Sequence, residues 1–426
     1  MQPGDLLDLD ITAVAHGGVF VARHENRVVF VSDAIPGERV RVALTDTKKS
    51  SFWRGDTVEV LDASPHRRPH VWSPADVGTP PTERPGGADF GHIALDHQRE
   101  LKAEVLRDAL ARFAGSTAPV TIEPPIAQTK GDRLVEESPD GTGWRTRVSL
   151  HVDEDGRIGP YAARSHRVIP VGELPLATPG ITRAMARRQG GSPGRLDLVQ
   201  PADGRVRVIS RPEPTRSRRP GPIDPAAREV VVETVGDREF QVDAGGFWQV
   251  HRLAAGTLHD AVASAVTGSV DPDGWHLDLY GGVGLLAASV AGVGGPGTRI
   301  TSVESDPRAT EHAGENLAAW IGARAETARV DRWLGHLVET ATPAQRARLG
   351  RGTVVLDPPR AGAGKDVVER LVALSPDRIV YVACDPVALA RDLGTFAAHG
   401  YTAPSIRAFD LFPHSHHVEA IAVLTR

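Results

Sequence analysis

An α/β protein, with a small β-barrel in front and an α+β region in the middle, is expected from three features of the chain. Short apolar runs crowd into the first 64 residues. From about residue 226 to the end, strand-like and helix-like segments alternate, the pattern of an open, mostly parallel, doubly wound sheet. Glycine-rich and proline-rich turns follow the apolar strands of that half, at the edge where such sheets bind ligands. A chain of 426 residues is long enough for two or three domains with separate cores.

The barrel unit is read over residues 1–64. Leu9, Ile11 and Val14, then Val19 and Val21, then Val28, Phe30 and Val31, then Val40, Val42 and Leu44, and finally Val58 and Val60 are strand runs. Turns are expected at His16-Gly17-Gly18, Glu25-Asn26, Ile35-Pro36-Gly37 and Arg54-Gly55. Five strands in that length suit a barrel of the oligonucleotide-binding type. Lys48, Lys49, Phe52, Trp53 and Arg54 put cations and aromatic rings in one loop, as an RNA-contacting surface does. A purely structural barrel is the alternative.

The central region is read over residues 65–225. It opens with a Pro- and Gly-rich connector to residue 92. Leu95, Leu101, Val105, Leu106, Leu110 and Phe113 then have helical spacing over residues 92–114, on a helix expected to pack on the C-terminal domain. WRTRVSLHVDEDGRIG reads as two strands joined at Asp155-Gly156. Residues 143–219 carry 15 Arg against 7 acidic residues, either a solvated face or a phosphate-binding one, and Arg211, Arg216, Arg218 and Arg219 bracket a Pro-rich loop. The third unit, residues 226–426, has strand candidates at 275–280, 299–304, 326–330, 353–357 and 378–383, with Ala420 to Leu424 as a closing, antiparallel strand.

The totals narrow the function. With 49 basic and 54 acidic residues the chain is mildly negative, so any nucleic-acid contact must come from local patches. A single cysteine excludes internal disulfides and thiolate clusters and points to a reducing compartment. The acidic N-terminus does not resemble a signal peptide, and no run of about 18 apolar residues exists to span a membrane. A cytoplasmic location and a monomeric state are expected.

The chemistry lies in the C-terminal unit. DLYGGVGLLAASV (278–290) is a strand, a glycine turn and a helix, and Glu304 ends the next strand, where a carboxylate can accept ribose hydroxyls. The pair signals an adenosine-containing cofactor, and Gly282, Gly284 and Ala287 also fit the loose dinucleotide pattern, which keeps NAD in view. VVLDPPRAG ends an apolar strand in a stiff loop that fixes Asp357 and Arg360 at the sheet edge. Cys384 occupies the corner between a strand and a helix that Asp385 can cap and Pro386 can open. Proximity to the helix N-terminus lowers a thiol pKa from about 8.5 while Asp385 opposes it, so partial activation is expected. A buried, inert thiol is the alternative. In DLFPHSHHVEAIAVL, Glu419 opens the last strand as a candidate proton acceptor. His414, His416 and His417 lack a zinc-ligand spacing, so no metal is assigned.

In this order, the pieces resemble the S-adenosylmethionine-dependent RNA (uracil-5) methyltransferases that form 5-methyluridine, in particular the ribosomal RNA members with a TRAM barrel. GVFVARHENRVVFVSDAIPGERVRV resembles the TRAM unit and GFWQVH the family's Phe-x-Gln motif. DLYGGVGLL, VESDPRATEHAGENL, VVLDPPRAG, YVACDPVALARD and DLFPHSHHVE follow at the expected intervals. The resemblance implies a Rossmann-like class I methyltransferase domain using S-adenosylmethionine, with Cys384 as nucleophile and Glu419 as base. It puts Gln249, Tyr280, Glu304 and Asp357 on cofactor-binding positions, with Asp331 as a further candidate on the adenine side; the glycine turn adds Gly282 to the cofactor, and the residues themselves offer Arg360, Lys48, Lys49 and Trp53 to the substrate RNA. It implies 23S ribosomal RNA as the partner, with transfer RNA as the alternative. The chain departs from the family at Tyr280-Gly281-Gly282, where the family has YCG, and at Cys384-Asp385-Pro386, where it has CNP. At the family's iron–sulfur positions it reads His70, Pro85-Gly86-Gly87-Ala88 and Val171-Gly172-Glu173-Leu174-Pro175, so no cluster is expected and packing around the connector must replace it.

Overall fold

The computed structural model describes residues 1–130, 133–188, 190–213 and 224–426. Arg216, Arg218 and Arg219 of the Pro-rich loop lie outside the described residues. Strands β1 (Leu6–Ala15), β2 (Val19–His24), β3 (Arg27–Ser32), β4 (Arg39–Asp46) and β5 (Phe52–Asp62) close a barrel in the order β1-β2-β3-β5-β4. Alternation drives it: along β1 every second side chain from Leu7 to Ile11 is buried. Arg54-Gly55 is not a turn but lies inside β5. A Cβ on Gly55 would come within 2.4 Å of Val42 Cγ1 and 2.8 Å of the Ala43 carbonyl, so glycine is needed there for β4 to approach.

The connector is tied to the barrel by two arginines. Arg67 forms a two-pronged ion pair with Glu38, whose side chain is fully buried, at 2.6 and 2.7 Å. Buried Arg84 donates to Asp33 and to the carbonyls of Thr57, Val77 and Thr79. Such paired, fully engaged cations can hold a chain segment that has little apolar periodicity. Helix α1 (Leu95–Ala109) continues as a single π turn to Ala114, shorter at its start than the sequence spacing implies.

Strand β6 (Ile122–Glu123) follows, then the hairpin β7 (Gln128–Lys130) and β8 (Arg133–Val135). The central sheet runs β10-β9-β11-β12, built from β9 (Arg147–Val152), β10 (Ile158–Gly159), β11 (Gly194–Val199) and β12 (Arg207–Pro212), with helix α2 (Pro179–Ala186) against β11. A hairpin of β13 (Val230–Val235) and β14 (Arg238–Asp243) and then helix α3 (Ala254–Val266) lead into the main sheet.

That sheet contains β15 (His276–Leu279), β16 (Ile300–Glu304), β17 (Ala323–Thr327), β18 (Thr353–Leu356), β19 (Arg378–Ala383), β20 (Thr402–Phe409) and β21 (Glu419–Thr425), joined at its edge by β6. Its order is β17-β16-β15-β18-β19-β21-β20-β6; β15 to β19 are parallel, and β21 runs antiparallel between β19 and β20. Helices α4 (Leu285–Gly294), α5 (Pro307–Asn316), α6 (Val330–Thr340), α7 (Pro343–Gly350), α8 (Lys365–Leu374) and α9 (Pro386–Ala397) fill the connections. The inner strands β15 and β18 are buried at every position, as parallel strands covered on both faces must be. Ala103, Leu106 and Ala109 of α1 join the core formed by α8, α9 and one face of this sheet. No described helix is long and apolar enough to cross a membrane.

Candidate active site

The carboxyl ends of β15, β16, β18 and β19 open into one cavity of about 1100 Å³. Gln249, Tyr280, Gly282, Glu304, Asp357, Arg360, Cys384 and Glu419 all line it. These residues come from stretches up to 170 positions apart: the parallel strands bring most of them to one edge, the antiparallel β21 starts there with Glu419, and Gln249 reaches it from the segment between β14 and α3. Strand register brings two of these residues together: Ala383 on β19 faces Ala420 on β21, so the next step of the ladder sets Cys384 beside Glu419.

The glycine turn after β15 is shaped by three contacts. Tyr280 sits at φ +63 and Gly282 at φ +53. A Cβ on Gly281 would fall 2.0 Å from Ser302 Oγ and 2.6 Å from Asp278 Oδ2. The Gly282 amide donates to Glu304 Oε2 at 3.2 Å, while Glu304 Oε1 accepts from the amide of Asp306 at 2.8 Å. Glu304 is thereby fixed at the cavity wall as an acceptor-only group, suited to ribose hydroxyls. Asp278 lies beneath the turn, fully buried. Its Oδ2 accepts from Ala287 and Ser302, whereas Oδ1 has no partner, and burial pushes its pKa up to about 7. This cradle fits an adenosine-type methyl donor: an acceptor for its sugar, and glycines that let the backbone approach closely.

Electrostatics at Cys384 differ from the expectation of partial activation. Burial, followed by the Glu419 and Asp357 carboxylates, pushes the Cys384 thiol up to about 12; Arg360 pulls it the other way. The helix N-terminus is present, since Asp385 caps α9 through Oδ1 and the Ala388 amide. Desolvation and two nearby carboxylates outweigh it. Glu419 is buried and held well above the ordinary carboxylate range, first by burial and then by Asp357; Asp357 is raised by burial and by Asp278. Arg360 Nη2 donates to His417 Nε2 at 3.3 Å.

Two expected site residues fall elsewhere. Asp331 does not line the cavity; it sits in the first turn of α6, held in a two-pronged ion pair by Arg329. Trp53 is 6% exposed and belongs to the barrel core, because β5 begins at Phe52 and turns the tryptophan inward under Arg27. Lys48 and Lys49 are exposed as expected, with Lys49 Nζ 4.8 Å from the Phe52 ring. Residues not singled out earlier also line the cavity, among them Asp278, Arg145 and the 73%-exposed Phe247. Phe247 was within reach of sequence reasoning, since it belongs to the quoted GFWQVH motif. Among the described residues, no group of three or more His, Cys, Asp or Glu could hold a metal ion.

The chain is similar to known proteins along its whole length. The tRNA (Uracil-5-)-methyltransferase family model matches residues 347–426, and the TRAM domain model matches residues 2–60. An uncharacterized RNA methyltransferase of Streptomyces avermitilis is 38% identical, covering 99% of this chain and 98% of that protein. One of Streptomyces coelicolor is 37% identical over 99% of this chain and 93% of its own length. Among solved structures, the tRNA (uracil-54, C5)-methyltransferase of Pyrococcus abyssi, in complex with S-adenosyl-L-homocysteine, has the same fold. The TM-score is 0.70 at 21% identity, with 98% of this chain and 99% of that one covered. With a TRAM barrel in front, the uracil-5 methyltransferase family model over its C-terminal part and end-to-end similarity to RNA methyltransferases, the chain belongs to the family of S-adenosylmethionine-dependent RNA (uracil-5) methyltransferases.

Proposed function

We propose that the protein methylates carbon 5 of a uridine in 23S ribosomal RNA through a covalent adduct on Cys384. The observation that carries this reading is the convergence of Cys384, Glu419 and the Glu304-walled glycine turn on one cavity. Glu304, Gln249, Tyr280, Gly282 and Asp357 hold S-adenosylmethionine, which when bound supplies an electrophilic methyl group. Carbon 5 of uracil is a weak nucleophile. The Cys384 thiol gives its proton to solvent, and the resulting thiolate adds to carbon 6 and makes carbon 5 an enolate carbon able to take the methyl group. Glu419 then removes the carbon 5 proton, the bond from sulfur to carbon 6 breaks, and the thiolate is regenerated. Arg360 favours the thiolate, being the cation that lowers its pKa. The uracil must leave its stack, at a cost of a few kcal/mol. The exposed ring of Phe247, which lines the cavity, would offset that by stacking, and the exposed Lys48 and Lys49 of the barrel would add phosphate contacts.

Transfer RNA is the second reading, favoured by the full-length fold likeness to the Pyrococcus abyssi enzyme. Mass-spectrometric mapping of 5-methyluridine in ribosomal and transfer RNA from a deletion strain separates the two. Cys384→Ala should abolish methylation, and RNA carrying 5-fluorouridine should trap wild-type enzyme covalently, because fluorine cannot leave as a proton. Normal methylation by Cys384→Ala would remove the nucleophile from this scheme. Stabilisation by NADH rather than S-adenosylhomocysteine in thermal-shift assays would favour an oxidoreductase instead.

A further inference from the structure

A second, smaller cavity of about 150 Å³ lies on the barrel side of the nucleophile. Its outer wall is the turn between β1 and β2, at Ala15, His16 and Gly17. Arg360, Cys384 and His417 line this cavity and the large one alike, so they form the partition between them.

The turn is seated against the catalytic domain by two independent contacts. His16 Nε2 donates to Asp385 Oδ2 at 2.9 Å, the oxygen that Asp385 does not use to cap α9. Gly18, at φ +72, packs where a Cβ would fall 2.3 Å from Asp89 Oδ2 and 2.8 Å from His416 Nδ1. Those two atoms are themselves hydrogen-bonded at 2.6 Å. The barrel is therefore latched onto the corner that carries Cys384 and onto the segment that leads into Glu419.

We propose that this barrel-side pocket receives the base of the nucleotide next to the flipped-out uridine in the same RNA strand, with His16 as a specificity-determining and positioning residue. The inference rests on the uracil-5 methyltransferase reading. A cavity of about 150 Å³ takes one six-membered ring. The imidazole rings of His16, His416 and His417 line it, and aromatic rings of this kind stack on unpaired RNA bases in proteins that read them. Arg360, in the partition, is placed for the phosphate that links the two nucleotides. Contacts to flanking nucleotides commonly set sequence context in enzymes that extrude a base.

The test uses the full-length enzyme and synthetic RNA carrying the mapped uridine, intact or with the base deleted at the 5′ or the 3′ neighbour. Wild type should lose about tenfold in kcat/KM when one of the two neighbours is abasic. His16→Ala should already be slower on intact RNA and lose much less on the abasic RNA. His16→Gln, which keeps a donor for Asp385, should recover part of the rate. Stabilisation by S-adenosylhomocysteine should be unchanged in both variants. Equal rates on intact RNA and both abasic RNAs would overturn the pocket assignment while leaving the methyltransferase reading intact, and that arm needs no variant. An equal further loss for wild type and His16→Ala would remove His16 from the pocket. If wild type formed no 5-methyluridine on any RNA, the underlying reading and this one would fall together.

Discussion

At neutral pH the Cys384 sulfur of the free enzyme is a protonated thiol, because its pKa lies near 12. The thiolate fraction grows with pH, so iodoacetamide should label Cys384 slowly at pH 7 and progressively faster above pH 9, as peptide mapping would show. Glu419→Gln removes the largest charge contribution to that raised pKa. It should speed labelling at pH 8 while slowing turnover and letting the RNA adduct accumulate on a denaturing gel. Faster turnover in this variant would exclude Glu419 as the base. Glu419 also carries a linkage consequence. Its folded pKa lies above its ordinary 4.5, so it favours the folded state below that pH and this contribution is lost as pH rises. The Tm gain of Glu419→Gln should therefore be close to zero at pH 4 and positive at pH 8. The motifs singled out Cys384 and Glu419, which the fold brings to one cavity, but they did not reveal this electrostatic balance. A helix N-terminus is legible in Asp385-Pro386; the depth of burial and the neighbouring carboxylates appear only when distant strands meet. Trp53 and Asp331 failed for a related reason: one residue of strand register turned the tryptophan inward, and a local arginine claimed the carboxylate.

At the scale of elements, the loop before β21 is positioned from far away in sequence by α1. Lys102 Nζ donates to Asp410 Oδ1 at 2.5 Å with both side chains fully buried, and the His414 amide donates to Gln98 Oε1 at 2.7 Å. Among the described residues, Lys102→Met leaves the Asp410 carboxylate with the longer Arg99 contact of 3.2 Å. Breaking such a buried pair costs about 3–5 kcal/mol, which a urea melt should register as a lower midpoint. The glycine turn is equally intolerant: Gly281→Ala should lose the stabilisation by S-adenosylhomocysteine, because its Cβ would collide with Ser302 and Asp278. Strands β18 and β19 were legible as largely apolar runs, as buried parallel strands favour, whereas β15 and β16 carry buried polar residues and were legible through the turns that follow them. The edge strand β17 was expected at 326–330 and lies at Ala323–Thr327; its half-exposed residues carry no pattern that locates it. Strand β20, with its mixed exposure, and the two-residue β6 gave no signal in the sequence for the same reason.

At the scale of the whole molecule, a chain with net charge −5 must attract RNA through patches. The arginine excess of the central region looked like one such patch, yet much of its described part is engaged within the fold. Arg195 and Arg211 share Asp197, Arg207 pairs with Asp203 and Glu229, Arg147 with Glu233, and Arg164 with Asp56 of the barrel. These pairs hold the central sheet and its neighbours together and leave less charge for phosphates than composition implies. Lys48 and Lys49 differ: both are exposed, and no ion pair with a carboxylate is seen for either among the described residues. Each phosphate neutralised on single-stranded RNA contributes about −0.7 to the slope of log K against log salt. Replacing both lysines with alanine should therefore flatten that slope by about 1.4 in filter-binding titrations and weaken all RNA sequences alike, while S-adenosylhomocysteine binding stays unchanged. Arg195→Ala, in contrast, should lower Tm and leave the slope where it was. An unchanged slope for the lysine pair would mean that the barrel meets RNA through another face, and the loop between β4 and β5 would then have no part in recognition.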